Sequence, residues 1–189
     1  MDLRRILVVA ATGRELAPSE GWLTLVCGVG PVDAAAATAA AIAAHRPLAI
    51  IHVGIAGARR DSGIAPPALV VGSESRYADL GVPERFAPGV LRPDPLLYDA
   101  ARRALPAALG EPIATSGRVG GTSGAPVEAM EGFAVLRAAQ LAGIPAVEVR
   151  AVSNEVEEAD RARWKFDEAF AAIVDATPLL VREVAACVS

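Results

Sequence analysis

Apolar residues fall into short continuous runs, separated by turn signals and by alanine-rich stretches. Ile6–Ala11 ends in Ala-Ala-Thr-Gly and predicts a buried strand entering a loop. Trp22–Cys27 predicts a second strand, closed by Gly28-Val29-Gly30-Pro31. Val32–His45 is nearly all alanine and other apolar residues, which predicts a helix stopped near Pro47. Leu48–Val53 predicts a third strand leading into Gly54-Ile55-Ala56-Gly57; Ala68–Val71, after Asp61-Ser62-Gly63 and Pro66-Pro67, predicts a fourth. Residues 72–95 are rich in glycine, proline and charge, and read as a long excursion rather than a core element. A helix from Pro95 to about Leu105, a short strand near Ile113–Thr115 and a Gly/Ser/Thr loop from Ser116 to Ala125 follow. Pro126 opens a helix that stops at Gly143, and Ala146–Val152 is a strand ending at Ser153-Asn154. The last helix starts near Asp160, is interrupted at Thr177-Pro178 and restarts with that threonine as cap and the proline at its first position.

Near-continuous apolar strands alternating with helices predict a mainly parallel sheet covered on both faces, within one domain spanning residues 1–189. Such sheets bind ligands beyond the carboxyl ends of their strands. The polar or small residues expected there are Thr12, Gly13 and Glu15; Gly28 and Gly30; His52, Gly54 and Gly57; and Ser153, Asn154 and Glu155. No repeat or linker interrupts the pattern.

Composition narrows the function classes. Hydrophobic residues make up 53% of the chain but aromatic ones only 4%, and the alanine excess favours tightly packed helices. The net charge of -4 is spread along the chain and leaves no footprint for nucleic acid or an anionic membrane. Cys27 and Cys187 are too few for a disulfide framework, and His45 and His52 lack metal-ligand spacing, so neither metal nor cofactor is expected. The run Ile6–Ala11 is too short for a signal-peptide core and no run reaches membrane-spanning length, which makes the cytoplasm the expected location.

Gly28-Val29-Gly30 before a helix invites a dinucleotide reading. The third glycine is missing at the right spacing, though, and no acidic residue ends a strand about 20 residues later, which favours a tight turn with close strand–helix packing. In the helix predicted from Pro126, Glu128 and Glu131 are three apart and share a face. Glu128 either serves the helix dipole or carries chemistry. Gly132 follows Glu131 inside that helix, where glycine costs about 1 kcal/mol relative to alanine, so it marks close approach of another group. Glu131 is either structural or a carboxylate whose partners are sugar hydroxyls.

Four motifs carry a resemblance: Gly28-Val-Gly-Pro-Val-Asp33, Val53-Gly-Ile-Ala-Gly57, Glu128-Ala-Met-Glu-Gly132 and Val149-Arg-Ala-Val-Ser-Asn154. In this order they resemble the purine nucleoside phosphorylase and nucleosidase superfamily. The resemblance implies a three-layer α/β/α sandwich around a central mixed, mainly parallel sheet, assembled as a homo-oligomer. It implies that Met130 and Glu131 bind the ribose side of a nucleoside, that Ala56 and Gly57 belong to the substrate-binding wall, and that Asn154 contacts the purine at N7. Phosphorylases of this group carry an Arg-Val-Gly-Ser type segment after the third strand, where this chain has His52-Val-Gly-Ile55, and an N-terminal Gly-Asp-Pro loop that this chain lacks. Nucleosidases supply a glutamate just after the first strand, which maps to Glu15. The alternatives are a solvated loop charge at Glu15 and a phosphate ligand at Arg14.

Adenosine-type nucleosidases of the superfamily have aspartate where this chain has Asn154. A carboxamide offers a donor and an acceptor at any pH but cannot deliver its own proton. It matches a 6-oxopurine, giving its NH2 to O6 and accepting from N7–H; its other role would be to stabilise a turn. Ser153-Asn154-Glu-Val156, Asp160-Arg-Ala-Arg-Trp164 and Tyr77-Ala-Asp-Leu-Gly81 are similar to the futalosine hydrolase branch. That implies release of hypoxanthine from futalosine in the alternative menaquinone pathway. Arg76, Tyr77 and Phe86 either help seat a bulky 5′ substituent or pack at the surface. The competing functions are a methylthioadenosine/S-adenosylhomocysteine-type nucleosidase, a purine nucleoside phosphorylase and a nucleotide-binding module without turnover.

Overall fold

The strands that carry the apolar runs pair over more of the chain than those runs suggest. The computed structural model describes residues 3–120 and 123–188; within the predicted Ser116–Ala125 loop, positions 121 and 122 lie outside the described residues. The strands are β1 (Ile6–Ala10), β2 (Leu23–Val26), β3 (Ala49–Ala58), β4 (Leu69–Tyr77), β5 (Val90–Leu91), β6 (Leu109–Thr115), β7 (Val127–Ala129) and β8 (Ala146–Glu155). The helices are α1 (Pro31–His45), α2 (Pro95–Ala104), α3 (Gly132–Leu141) and α4 (Phe166–Cys187).

The sheet is mixed and mainly parallel. β1 runs parallel to β2 and β3, β3 to β8, and β6 to both β4 and β7. Antiparallel pairs join β3 to β7, β4 to β5 and β4 to β8. Helices α2 and α4 bury Leu97, Ile173 and Leu180 against one face, while α1 and α3 bury Ala34, Ala41 and Leu136 against the other. The three-layer expectation holds. A closed ring is the addition: β3 pairs with β8, β8 with β4, β4 with β6, β6 with β7 and β7 with β3. Its own small core contains Ala56, Val70, Ile113, Val127 and Val152.

This ring explains several departures from the local pattern. The helix predicted from Pro126 begins only at Gly132, because Val127–Ala129 is drawn into strand pairing with β6 and β3. Strand β3 continues through Gly54 and Gly57 to Ala58, and β8 continues past Val152 to Glu155, because the two pair along their whole length. Part of the predicted 72–95 excursion is likewise strand, since β4 runs to Tyr77 against β6. Near the chain end, residues 161–163 form a 3-10 turn capped by the Asp160 side chain, and the helix starts at Phe166 rather than Asp160. It passes through Pro178 without a break; the Thr177 hydroxyl donates to the Ile173 carbonyl at 2.7 Å, within the same stretch of helix.

Leu180 on α4 is fully buried against the sheet. Leu180→Ala is expected to lower stability by about 2–5 kcal/mol, read as a fall in the urea midpoint at unchanged m-value.

Candidate active site

Parallel strands deliver their carboxyl ends to one side of the sheet, and there β1, β3 and β8 meet the turn between β7 and α3. They enclose a cavity of about 470 Å³. Glu15, Ala56, Gly57, Met130, Glu131 and Asn154, the residues named from sequence, all line it.

Behind the cavity wall lies Arg150, a β8 residue only 1% exposed that binds the wall residues Ile55 and Glu131. Its Nε donates to Glu148 Oε1 at 2.9 Å and its Nη1 to the Ile55 carbonyl at 3.4 Å. Its Nη2 lies 3.4 Å from Glu131 Oε2 and 2.6 Å from His52 Nε2. Gly54 is required beside it, because a Cβ there would collide with the guanidinium and lie 2.9 Å from Glu15 Oε1. His52 is fully buried, and its Nδ1 sits 3.1 Å from the Val9 carbonyl. A carbonyl only accepts and a guanidinium only donates, so His52 carries its proton on Nδ1 and accepts at Nε2. Burial and the Arg150 charge hold the imidazole well below its usual value near 6.5, and it is neutral.

Glu15 follows β1 on the short 3-10 turn Gly13–Glu15 and is 4% exposed. Its Oε2 accepts from the Thr12 N–H at 2.8 Å and the Thr12 hydroxyl at 2.9 Å, and its Oε1 from the Ile55 N–H at 3.1 Å. It is therefore not a solvated loop charge. Arg14 turns the other way, pairing with Asp167 at 3.0 Å and lying 4.3 Å from the centre of the Phe170 ring.

Glu131 sits at the N-cap of α3 and is 4% exposed. Its Oε1 accepts from the Gly30 N–H at 3.1 Å, so the Gly28-Val29-Gly30 turn tethers a carboxylate. Gly28 allows close packing as well: a Cβ there would lie 3.0 Å from the Asp33 Cβ. Glu128 and Glu131 do not share a helical face. Glu128 belongs to β7 and accepts from the Ser123 N–H at 3.2 Å and hydroxyl at 2.7 Å. Burial and the Glu131 charge push the Cys27 thiol up to about 11, so it is no nucleophile near neutral pH.

Asn154 is held from both ends of its amide. Nδ2 donates to the Glu155 carbonyl at 2.9 Å, and Oδ1 lies 2.7 Å from the Ser153 hydroxyl. Gly57 leaves the room for this, since a Cβ would come within 3.1 Å of Asn154 Nδ2. The outer cavity wall carries Trp164, Phe166 and Phe170, with Arg118 and Arg161 at its edge. Sequence reading missed these as site residues; Arg161 and Trp164 appeared only as part of a family likeness. Arg150 was missed too, although a charged residue inside the run Ala146–Val152 was its signal. Arg76 and Phe86 do not line this cavity, and Tyr77 instead lines an apolar groove of about 680 Å³ between α1 and α3.

Residues 7–188 match the model of the Phosphorylase superfamily. The chain belongs to that superfamily. It is 40% identical to a futalosine hydrolase of Streptomyces coelicolor, covering 83% of this chain and 77% of the relative. It is 32% identical to a futalosine hydrolase of Thermus thermophilus, with 86% and 82% covered. Among solved structures, a methylthioadenosine/S-adenosylhomocysteine nucleosidase of Colwellia psychrerythraea superposes with a TM-score of 0.81 at 19% identity over 96% of this chain and 95% of the other. The native futalosine hydrolase of Helicobacter pylori also gives 0.81, at 15% identity over 97% and 98%. These structures share the superfamily fold. Among the described residues no helix is long and apolar enough to cross a membrane.

The depressed His52 value has a measurable consequence. Below pH 6.5 the unfolded chain takes up a proton that folded His52 refuses, so its contribution to stability is full above that pH and declines as pH falls. Between about pH 7.5 and pH 5.5, wild type should lose more thermal stability than His52→Gln. Equal losses would show that His52 does not set this dependence.

Proposed function

We propose that this chain hydrolyses the N-glycosidic bond of futalosine, releasing hypoxanthine and dehypoxanthine futalosine on the futalosine route to menaquinone. The observation that carries this reading is the convergence of Glu15, Glu131 and Asn154 on one cavity in a chain 40% identical to a futalosine hydrolase. We read residues 1–189 as one catalytic domain acting in the cytoplasm on a small nucleoside, without cofactor or metal. The groove between α1 and α3, edged by exposed Val32 and Leu141, supports assembly as a homo-oligomer.

The chemistry follows from the site. Glu131 accepts hydrogen bonds from the ribose hydroxyls, with Met130 packed beside it and Ala56 and Gly57 forming the opposite wall. Glu15 orients water and takes its proton as the oxygen bonds to C1′. The C1′–N9 bond breaks with its electron pair passing to the purine, and a proton ends on the base. Hydrolysis is favoured over phosphorolysis because the buried Arg150 fork already serves Glu148, Glu131, His52 and the Ile55 carbonyl, while the cavity's other guanidiniums, Arg118 and Arg161, are exposed to water. A phosphate would have to displace those partners. Arg14, the phosphate candidate from sequence, pairs with Asp167 and does not line the cavity.

The amide of Asn154 supports a 6-oxopurine. Its second N–H and a free Oδ1 lone pair remain for O6 and N7–H. Adenine would require the amide to flip, which would set Oδ1 against the Glu155 carbonyl.

Purified protein incubated with futalosine, inosine and methylthioadenosine, with and without phosphate, tests this assignment. Phosphate-independent release of hypoxanthine from futalosine is expected; adenine release from methylthioadenosine would overturn the base assignment, and obligate phosphate the hydrolytic one. Glu15→Gln should lower kcat by about 10²–10⁴-fold, measured by hypoxanthine release.

A further inference from the structure

Glu148 is a buried carboxylate that the chemistry above does not use. It lies on β8 two residues before Arg150, is 1% exposed, and accepts from Arg150 Nε through Oε1 at 2.9 Å. Its Oε2 has no hydrogen-bond partner. The fold nevertheless makes room for this group. A Cβ on Gly132, the residue immediately after Glu131, would fall inside the Glu148 carboxylate. The glycine that sequence reading took as a mark of close approach is therefore the seat of Glu148.

The charges show what that seat does. Three carboxylates, Glu15, Glu131 and Glu148, surround one guanidinium, and His52 is neutral. Arg150 sits closer to Glu148, at 2.9 Å, than to Glu131, at 3.4 Å. Cleavage of a glycosidic bond builds positive charge on the sugar, and carboxylates facing the sugar stabilise it best when a neighbouring cation does not neutralise them.

We propose that Glu148 is a positioning residue for the reaction: held behind Arg150, it fixes the guanidinium and offsets its charge, leaving Glu131 and Glu15 to act on ribose and water. This rests on the hydrolytic reading of the site. The groups that face Glu148 are Arg150 on its own strand, Glu131 ahead of α3, and Ser75 on β4, whose hydroxyl helps Arg150 hold the carboxyl down. Burial raises the Glu148 carboxyl above the ordinary glutamate value, while Arg150 pulls it down. Protonation at acid pH would remove the offset, so Glu148 contributes to the acid limb of the activity profile.

Glu148→Gln keeps the shape and removes the charge at every pH. The expected result is a fall in kcat of about tenfold or more, with the futalosine KM within about threefold, and an acid limb moved to lower pH. Glu148→Asp, which keeps the charge, should leave that limb near its wild-type position. Should Glu148→Gln fail to fold, Gly132→Ala decides, since the added methyl unseats the carboxylate without changing any charge; a fall in kcat is again expected. A folded Glu148→Gln or Gly132→Ala variant with wild-type kcat and profile overturns the positioning role alone. Wild-type protein that releases no hypoxanthine from futalosine overturns the hydrolytic reading and this inference with it.

Discussion

The site depends on a guanidinium kept out of water. Arg150 is buried in the central strand β8, and an unpaired charge there would be strongly destabilising. The fold surrounds it with Glu148, Glu131, His52 and the Ile55 carbonyl, drawn from β8, the start of α3 and β3. A cluster of this kind adds little net stability relative to apolar packing. Its value is positional: Glu131 and Ile55, two of the residues that satisfy Arg150, line the cavity, so meeting its hydrogen-bond demand also fixes part of the cavity wall.

The ring of strands makes this possible. β3 and β8 belong both to the layered sheet and to the ring, which lets them continue beyond the point where helices cover both faces. Gly54 and Gly57 lie on that continuation, and each leaves space for a side chain of β8, Arg150 in one case and Asn154 in the other. What resembles loop composition is thus strand whose side chains have been removed to admit those of its neighbour.

Local pattern revealed most of the layered part. The apolar runs located β1, β2 and the beginnings of β3, β4 and β8, and the proline and aspartate at 94–95 mark the start of α2, where Asp94 accepts from the Leu96 and Leu97 N–H groups. The ring was not legible, because it is a set of long-range pairings: nothing within Val127–Ala129 tells a strand closing on β3 and β6 from the first turn of a helix. The helical spacing of Glu128 and Glu131 was for that reason misleading, although Glu131 itself lies in the cavity. Pro178 misled in the opposite sense, since packing of Ile173 and Leu180 on the sheet holds α4 together across it. Asn154 and Glu15 could be nominated from motif and strand position. The depth of Glu15 could not, because its hydrogen bonds to Thr12 and Ile55 depend on how two strands end side by side.

The tether between Gly30 and Glu131 reaches further than the cavity. Gly30 is the N-cap of α1, and the next two residues, Pro31 and Val32, line the apolar groove against α3. One peptide unit therefore separates the backbone that steadies a cavity carboxylate from the apolar groove. The two helices flanking the groove also have their N-caps at the two ends of that hydrogen bond, α1 at Gly30 and α3 at Glu131. The groove and the cavity carboxylate thus share the Gly30 backbone, and the pitch of α1 against α3 bears on both.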